Sequence, residues 1–348
     1  MINYKEHLIV KSSPVSKALE KLNKIAPDSI LFIIDENEQL IGSITDGDIR
    51  RGLLKGLAVS DKLTDFMQNK PHFIVKGEDT FDKVINLREQ SINIIPVLNQ
   101  NGQVLKVINF RQLKSYLPVD AVIMAGGRGS RLSPLTDTVP KPLLKIGDKP
   151  ILEYNTDRLR KFGIDDFWIS LRYLGEQIEN YFKDGSSRAI DVRYIWEDEA
   201  LGTVGAVSKI EDLKHDTVLI TNSDVLTDLD YEKLYQHFIK EDADMSVVTI
   251  PYTVNIPYAV LEMIEGKVKS FKEKPSITYY SNGGIYMVKR KVLDLIPKDK
   301  FFNATDLMEV MIAKGMKVTS YSLIGYWLDI GKPDDFQKAQ EDVKFLKL

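Results

Sequence analysis

Cysteine is absent from this chain of 348 residues. Its absence excludes disulfide scaffolds, thiol nucleophiles and zinc sites with cysteine ligands, and it is typical of a reducing compartment. Histidine is scarce as well: His7, His72, His215 and His237 are scattered and show no H-E-x-x-H or H-x-H spacing. We therefore expect that any metal ion in this protein is bound by carboxylates.

An excess of charge of one sign is also missing, because 47 Lys and Arg residues stand against 50 Asp and Glu residues, a net charge of -3. This balance gives no sequence-independent grip on a phosphate backbone, so nucleic acid is not an expected partner. No run of 18 apolar residues occurs, and Lys5, Glu6 and His7 stand where a signal peptide would be apolar. We predict a folded cytoplasmic protein without a membrane partner.

An internal repeat occupies the first third of the chain. A shift of 64 residues aligns residues 34–41 with residues 98–105, and each copy predicts a strand, a polar turn, a second strand and then a helix. An amphipathic helix precedes this unit in each copy, at residues 16–22 and 80–90. Because one hairpin with two helices cannot bury its apolar face alone, we expect the two copies to pack together.

The segment GSITDGDIR at residues 42–50 resembles the G-x-x-T-x-x-D-[IL] signature of CBS domains, and the doubled unit resembles a CBS pair. In that family the Thr and Asp hold the ribose and phosphates of a nucleotide. The resemblance therefore implies a regulatory adenine or guanine nucleotide on Thr45 and Asp48. The second copy has Asn109 and Gln112 at these positions, which predicts one nucleotide site in the pair rather than two.

Two alternatives stay open for this module. Thr45 and Asp48 could serve only to cap a helix over residues 46–54, since a hydroxyl and a negative charge both favour the N-terminus of a helix. The module could sense a nucleotide, or it could act purely as a surface for dimerisation. We expect a homo-oligomer.

The pattern changes after residue 118. Residues 120–125 include a continuous apolar run that ends in glycines, which is typical of a buried parallel strand. Further apolar runs alternate with helical stretches such as residues 151–162 and 231–238, and this alternation predicts a parallel α/β sheet. Residues 260–271, which turn at Glu265 and Gly266, predict a hairpin instead. The sheet is therefore expected to be mixed.

A glycine-rich loop follows the first of these strands: MAGGRGSRLSPLT at residues 124–136, then PKP at residues 140–142. Glycines directly after a strand let main-chain N–H groups approach a phosphate, and two arginines and a lysine supply the compensating charge. A Walker loop is excluded because G-x-x-x-x-G-K-[ST] occurs nowhere. A dinucleotide fingerprint fails because Leu132 replaces its third glycine and a long loop through Lys141 replaces the immediate helix. We predict a triphosphate site.

The extended loop motif resembles the signature of the sugar-1-phosphate nucleotidyltransferases, the family of glucose-1-phosphate thymidylyltransferases and mannose-1-phosphate guanylyltransferases. Five further motifs follow in that family's order: LGTVGA at 201–206, TNSD at 221–224, EKP at 273–275, NGGIY at 282–286 and YWLDIG at 326–331. The resemblance implies a Rossmann-like, GT-A-like α/β fold with a mixed sheet. The expected domains are a CBS pair over residues 1–117, with copies at about 8–57 and 70–116, and a catalytic domain over residues 118–348.

The resemblance also implies a role for each motif. Nucleotidyl transfer is an in-line attack that needs alignment and charge neutralisation rather than a protein nucleophile. The implied cofactor is Mg²⁺ on Asp224 and Asp329, because Mg²⁺ prefers hard oxygen ligands. The other implied site residues are Arg131, Lys141 and Lys274 for catalysis, Ala125, Gly126, Gly127, Gly129, Ser130, Glu197, Glu199 and Gly202 for the nucleotide, and Glu273, Lys274, Asn282, Gly283 and Gly284 for the sugar phosphate.

The base and the sugar are predicted from weaker patterns. The run EDEALGT at residues 197–203 is more similar to the guanylyltransferases, and carboxylates can accept hydrogen bonds from guanine N1–H and N2–H₂. The order of CBS pair and transferase resembles the glucosamine-1-phosphate guanylyltransferases of bacterial nonulosonic acid pathways. We expect GTP with glucosamine 1-phosphate or a mannose-type sugar 1-phosphate. The alternatives are a thymidylyl- or uridylyltransferase on glucose 1-phosphate, and a non-catalytic nucleotide-sensing scaffold.

Overall fold

The computed structural model describes residues 4–78 and 81–346. The chain divides into two compact units, one of Met1–Pro118 with Lys161–Gly163 and one of Val119–Arg160 with Ile164–Leu348. The division after Pro118 lies one residue from the domain boundary that the sequence predicts. Among the described residues, no helix has the length and apolar character needed to cross a membrane.

The first unit contains two copies of one small fold. In each copy the middle strand of a three-stranded sheet pairs in parallel with the first strand and antiparallel with the third. The elements of the first copy are β1 (Leu8–Val10), α1 (Val15–Lys24), β2 (Ile30–Ile34), β3 (Leu40–Thr45) and α2 (Asp46–Leu54). Those of the second copy are β4 (Ile74–Val75), α3 (Phe81–Glu89), β5 (Ile94–Leu98) and β6 (Val104–Asn109). The predicted start of the second amphipathic helix, Thr80, lies outside the described residues.

The two hairpins of this unit meet at their turns, as the burial argument requires. Leu40 N donates to Gly102 O at 3.0 Å, and the Gln39 and Gln103 side chains each donate to a backbone carbonyl of the other hairpin. The equivalent turns of the two copies, which share Asn37/Asn101 and Gln39/Gln103, therefore bind each other. Ile34, Leu98 and Val104 form a shared apolar cluster beside these bonds.

The sequence predicts a helix after each hairpin, and for the second copy this prediction is wrong. After β6 the chain makes a single turn, in which Gln112 N and Leu113 N donate to Asn109 O. The Asn109 side chain competes with helix formation: its Oδ1 accepts from Arg111 N at 2.9 Å, and its Nδ2 donates to Asp28. The Arg111 side chain also binds Asp28, at 2.7 Å, so this segment is held in the turn.

The second unit is an α/β domain with long connections. Its first elements are β7 (Val119–Met124), β8 (Lys145–Ile146), β9 (Lys149–Pro150), α4 (Ile151–Lys161), β10 (Asp166–Leu171), α5 (Gly175–Phe182), β11 (Asp191–Trp196) and β12 (Thr217–Asn222). The later elements are β13 (Val225–Thr227), α6 (Tyr231–Lys240), β14 (Met245–Asn255), β15 (Val260–Ile264), β16 (Lys267–Lys272), β17 (Ser276–Lys289), α7 (Ala304–Ala313), β18 (Val318–Ser322), β19 (Trp327–Asp329) and α8 (Pro333–Asp342).

A seven-stranded sheet in the order β11-β10-β7-β12-β17-β14-β18 is the centre of this unit. Strands β11, β10, β7 and β12 are parallel, β17 is antiparallel to both neighbours, and β14 pairs in parallel with β18. The predicted mixed sheet and the predicted α/β class are confirmed. Val122, Ile220 and Val288 are buried on this sheet. The carboxyl ends of the four parallel strands meet at one edge, which is where such sheets bind ligands.

Strands β14 and β17 continue beyond the sheet as a paired arm, and β15 and β16 form the predicted hairpin between them. Side chains of the arm are largely exposed, including Tyr252, Tyr258, Phe271 and Tyr280. A separate two-stranded ladder joins β13 to β19 in antiparallel orientation, with Val225 opposite Asp329. This ladder connects two motifs that are far apart in the sequence.

Candidate active site

The glycine-rich loop leaves β7 at the carboxyl edge of the sheet. Ala125 N donates to Ser170 O at 3.1 Å, which ties the start of the loop to β10. Gly129 has φ = 66°, and a Cβ there would lie 2.9 Å from the Lys141 Cβ, so only glycine lets the loop lie against the lysine segment. A Cβ on Gly127, in contrast, would meet nothing within 4 Å. The loop is therefore packed on one side and open at Gly127.

A cleft of about 350 Å³ opens at this loop and extends along the ends of β10, β11 and β12. It is lined by most of the residues that the sequence predicts for the triphosphate, the base and the metal ion. These are Gly126, Gly127, Gly129, Ser130, Arg131, Lys141, Glu197, Gly202 and Asp224. Ala125 is buried behind the loop, and Glu199 is exposed outside the cleft lining.

Lys141 and Asp224 form an ion pair in this cleft, although Lys141 is buried. Asp329 joins them because Val225 is paired with Asp329 and Ile330 N donates to Asp224 O at 3.0 Å. One carboxylate oxygen of each aspartate, Oδ1, is buried and has no hydrogen-bond partner among the described residues. Two buried carboxylate oxygens without donors suit a hard divalent cation such as Mg²⁺.

The electrostatics of Asp329 agree with this interpretation. Burial raises the pKa of Asp329 above its ordinary value, and the nearby charge of Asp224 raises it further. Lys141 and Arg131 act in the opposite direction and compensate only in part. A Cβ on Gly331 would lie 3.3 Å from Arg131 Nη1, so the guanidinium lies against the backbone just after Asp329. Additional positive charge beside the two aspartates would stabilise their ionised forms.

Glu197 lies at the end of β11 and is 8% exposed. Its Oε2 accepts a hydrogen bond from Leu201 N at 3.1 Å. A Cβ on Gly126 would lie 2.7 Å from Glu197 Oε1, so the missing side chain at Gly126 leaves the space that this carboxylate uses. The glycine loop and the carboxylate are thus neighbours on one wall of the cleft.

The NGGIY motif lies next to the cleft, although Asn282, Gly283 and Gly284 are not part of its lining. Gly284 has φ = 71°, and a Cβ there would lie 2.7 Å from the Asn222 Nδ2, a residue that lines the cleft. Asn282 donates to Tyr286 Oη at 2.8 Å, and Trp327 Nε1 donates to Gly283 O at 2.9 Å. The backbone of this motif is therefore fixed next to the cleft.

Glu273 and Lys274 are not brought to the cleft. They lie between β16 and β17, on the arm, with exposed side chains, and neither belongs to the cleft lining. Their predicted contact with the sugar phosphate stays a prediction.

Several cleft residues were missed by the sequence reasoning. Ser170 is the second-last residue of β10, and Arg172 follows the last one. The rule that ligands bind at the carboxyl ends of parallel strands could have identified both. Thr203, Asn222 and Phe301 line the cleft as well. Phe301 comes from a loop before α7, and no local pattern marks it.

In the first unit, Thr45 and Asp48 form the N-terminal capping box of α2. Asp48 is buried, and its carboxylate accepts hydrogen bonds from Thr45, Arg51 and Gln68. A cleft of about 610 Å³ in this unit is lined by the hairpin turns, and neither Thr45 nor Asp48 lines it. The capping role is therefore present, and the nucleotide role of both residues stays a prediction.

Comparison with known proteins separates the same two parts of the chain. The model of the nucleotidyl transferase family matches residues 120–344, and the model of CBS domains matches residues 7–55. A D-glycero-α-D-manno-heptose 1-phosphate guanylyltransferase from Aneurinibacillus thermoaerophilus is 32% identical over 232 residues, which cover 65% of this chain and 99% of that protein.

A UTP–glucose-1-phosphate uridylyltransferase from Synechocystis sp. is 30% identical over 239 residues, 63% of this chain. The match spans only 62% of the length of that relative. A crystal structure from Bacillus anthracis, assigned as a glucose-1-phosphate thymidylyltransferase and solved with sucrose, aligns with a TM-score of 0.54 and 24% identity over 66% of this chain and 97% of that one. This last likeness concerns the fold alone.

Proposed function

Because this chain belongs to the nucleotidyl transferase family, we propose that it transfers a nucleotidyl group from an NTP to a sugar 1-phosphate and releases pyrophosphate. The observation that carries this proposal is the cleft in which the open glycine loop meets Lys141 and Asp224, with Asp329 joined to Asp224 by the β13–β19 ladder. A scaffold without activity would have no need to keep buried carboxylate oxygens without donors, since such oxygens cost stability.

Nucleotidyl transfer requires aligned substrates and positive charge near the phosphates. An oxygen of the sugar 1-phosphate attacks the α-phosphorus of the NTP in line, a new P–O bond forms, and the bond to the β-phosphate breaks to release pyrophosphate. Negative charge develops on the phosphoryl oxygens in the transition state, so fixed cations stabilise it. In the proposed site Arg131 and Lys141 hold the triphosphate beside the loop amides. Lys274 lies on the arm outside the cleft lining, and its proposed role is to bind the sugar phosphate from there.

Asp224 and Asp329 are the residues that would hold Mg²⁺ in this site. Their two buried Oδ1 atoms without donors fit a divalent cation with oxygen ligands. The bound ion would neutralise phosphate charge and orient the phosphates. Lys141, already paired with Asp224, adds a second cation at the same place.

GTP is the proposed nucleotide, and Glu197 supports it. A buried carboxylate is an acceptor only, and guanine N1–H and N2–H₂ present two adjacent donors. Uracil and thymine have one such donor, N3–H, on the corresponding edge. The guanylyltransferase among the relatives favours the same assignment, whereas the uridylyltransferase keeps the alternative open.

The proposed second substrate is glucosamine 1-phosphate or a mannose-type sugar 1-phosphate, for the synthesis of a nucleotide sugar. Gly284 packs directly against Asn222, a residue of the cleft lining, so the backbone of this motif lies next to the place proposed for the sugar phosphate. Asn282 and Glu273 supply hydrogen-bonding groups of the type that sugar hydroxyls need.

A pyrophosphate-release screen of four NTPs against a panel of hexose 1-phosphates, with Mg²⁺, tests the proposal. We expect GTP to be the best nucleotide. Glu197→Gln should lower kcat/KM for GTP by about 10- to 100-fold, because an amide has one acceptor oxygen where the carboxylate has two. The matched control is Asp198→Asn, since the Asp198 side chain is 98% exposed.

Two results would contradict the proposal. If UTP or dTTP is at least about tenfold better than GTP across the panel, the base assignment is wrong. If no pair of NTP and sugar phosphate reacts, the enzyme assignment fails.

A further inference from the structure

Arg172 is a cation of the cleft for which the chemistry above has no role. It follows the last residue of β10, as Glu197 follows the last residue of β11. These parallel strands are neighbours with Leu171 opposite Trp196, and Glu197 N donates to Leu171 O at 2.9 Å. Arg172 and Glu197 are therefore the next residues on adjacent strand ends.

Both side chains border the same glycine. A Cβ on Gly126 would lie 3.4 Å from the Arg172 Cβ and 2.7 Å from Glu197 Oε1. Arg172 and Glu197 also both line the cleft. A ligand group that contacts the Glu197 carboxylate is consequently within reach of the Arg172 side chain, which is long and flexible.

Like Arg131, Arg172 has a side chain without a hydrogen bond or ion pair among the described residues, whereas other cations near this cleft are already engaged. Lys141 pairs with Asp224, the Arg131 guanidinium lies against Gly331, and Arg128 stacks over the Tyr173 ring at 5.4 Å. The Arg172 side chain has no hydrogen bond, ion pair or ring contact with any residue in the described ranges 4–78 and 81–346, and it is exposed. A guanidinium kept free beside a buried carboxylate is available to a ligand.

Resting on the proposed guanylyl transfer, we propose that Arg172 determines base specificity by donating hydrogen bonds to O6 and N7 of guanine while Glu197 accepts from N1–H and N2–H₂. The planar guanidinium fork matches two adjacent acceptors, and O6 and N7 form such a pair. Adenine places its N6–H₂ donor beside N7, and pyrimidines have no N7. The acceptor Glu197 and the donor Arg172 are thus complementary to guanine, whose donors N1–H and N2–H₂ lie next to its acceptors O6 and N7.

The test measures kcat/KM of the full-length enzyme with GTP, 7-deaza-GTP, ITP and UTP, for the wild type and for Arg172→Met, which keeps side-chain length and removes all donors. For the wild type, kcat/KM should be about tenfold lower with 7-deaza-GTP, which lacks N7, than with GTP. For Arg172→Met, kcat/KM with GTP should be about 10- to 100-fold lower than for the wild type, and the values for GTP and 7-deaza-GTP should be equal. The variant should keep the penalty for ITP, which lacks the N2–H₂ group that Glu197 binds.

Two outcomes would overturn this assignment. An equal loss for GTP, ITP and UTP in Arg172→Met would make Arg172 a triphosphate contact, and unchanged kinetics would remove it from the site. Loss of folding is controlled by thermal unfolding, which should be unchanged because, in the part of the chain that the structure describes, the Arg172 side chain makes no hydrogen bond, ion pair or ring contact for the variant to break. If the wild type itself prefers UTP or dTTP to GTP, the proposed function has failed; if the wild type prefers GTP and the variant result is negative, only the Arg172 proposal has failed.

Discussion

Asp224 and Asp329, 105 positions apart in the sequence, are brought together by a short antiparallel ladder in which Val225 is opposite Asp329 and Ile330 N donates to Asp224 O at 3.0 Å. Each keeps a buried carboxylate oxygen without a donor among the described residues. Backbone pairing therefore fixes the distance between two like charges that would otherwise separate. Such an arrangement is stable only with compensating positive charge, from Lys141 and Arg131 and, as proposed, from Mg²⁺.

Asp224→Asn and Asp329→Asn should each lower kcat by about 100-fold or more, because each would remove a charged ligand from the proposed Mg²⁺ ion. Both variants should remain folded, since replacing one of two buried like charges relieves repulsion. Turnover as a function of Mg²⁺ concentration and thermal unfolding without Mg²⁺ are the measurements. A variant with near-normal turnover at saturating Mg²⁺ would show that its aspartate is not a ligand.

Lys141→Ala and Lys274→Ala should affect different substrates. We expect Lys141→Ala to raise KM for the NTP and to lower kcat, and Lys274→Ala to raise KM for the sugar 1-phosphate by about tenfold or more. The control for Lys274 is Lys272→Ala, an exposed lysine of the same arm. Steady-state kinetics with each substrate varied in turn separate the two roles. An increase of only the NTP KM in Lys274→Ala would reverse its assignment.

Gly127→Ala should change binding without changing stability. A Cβ at Gly127 meets nothing within 4 Å, and its φ is not in the left-handed region, so the free energy of unfolding should stay within about 0.5 kcal/mol. The methyl group would nevertheless occupy the open side of the loop, where the phosphates are proposed to approach. KM for the NTP should rise about tenfold. An unchanged KM would place the triphosphate elsewhere.

Asp48 should make the stability of the first unit depend on pH. Burial by itself raises the pKa of Asp48, but hydrogen bonds from Gln68, Thr45 and Arg51 outweigh it and hold the pKa below its ordinary value. The contribution of Asp48 is therefore present above the ordinary aspartate pKa of about 3.9 and is lost as the pH falls through the lower folded-state pKa.

Asp48→Asn should consequently lower the free energy of unfolding by about 1–3 kcal/mol at pH 7, and by progressively less as the pH falls below the ordinary aspartate pKa of about 3.9. Urea unfolding of the full chain, followed by circular dichroism at several pH values, gives this difference. Asp46→Asn is the matched control, because Asp46 is in the same turn of the helix and exposed. A difference that stays constant with pH would show that the Asp48 charge is not what stabilises the cap.

Nucleotide binding to the CBS module is a separate prediction. Calorimetry of the full chain with AMP, ADP and ATP should show one site per chain, and Asp48→Ala should abolish it. Such binding could change turnover by favouring one conformation of the enzyme, with a coupling of about 1–3 kcal/mol. No binding, together with a smaller oligomer when residues 1–117 are deleted, would identify the module as a dimerisation surface instead.

Local patterns in the sequence determined the repeat, the alternation of strands and helices, and the glycine loop after β7. Each of these depends on residues within a few positions of one another: apolar period, turn residues, and glycine directly after a buried strand. The helix predicted after β6 is not formed, because the Asn109 side chain binds the backbone of the turn and also donates to Asp28 in the other copy, a contact that no local pattern encodes.

Tertiary structure alone decided which distant residues share the cleft. The pairing of β13 with β19 joins Asp224 to Asp329, and the register of β10 with β11 places Arg172 beside Glu197. The fold also leaves Lys274 on an exposed arm, outside the lining of the cleft that contains the glycine-rich loop. Side-chain periodicity reports which face of a strand is buried, but register between strands depends on backbone hydrogen bonds and packing across the whole sheet, which no local segment encodes.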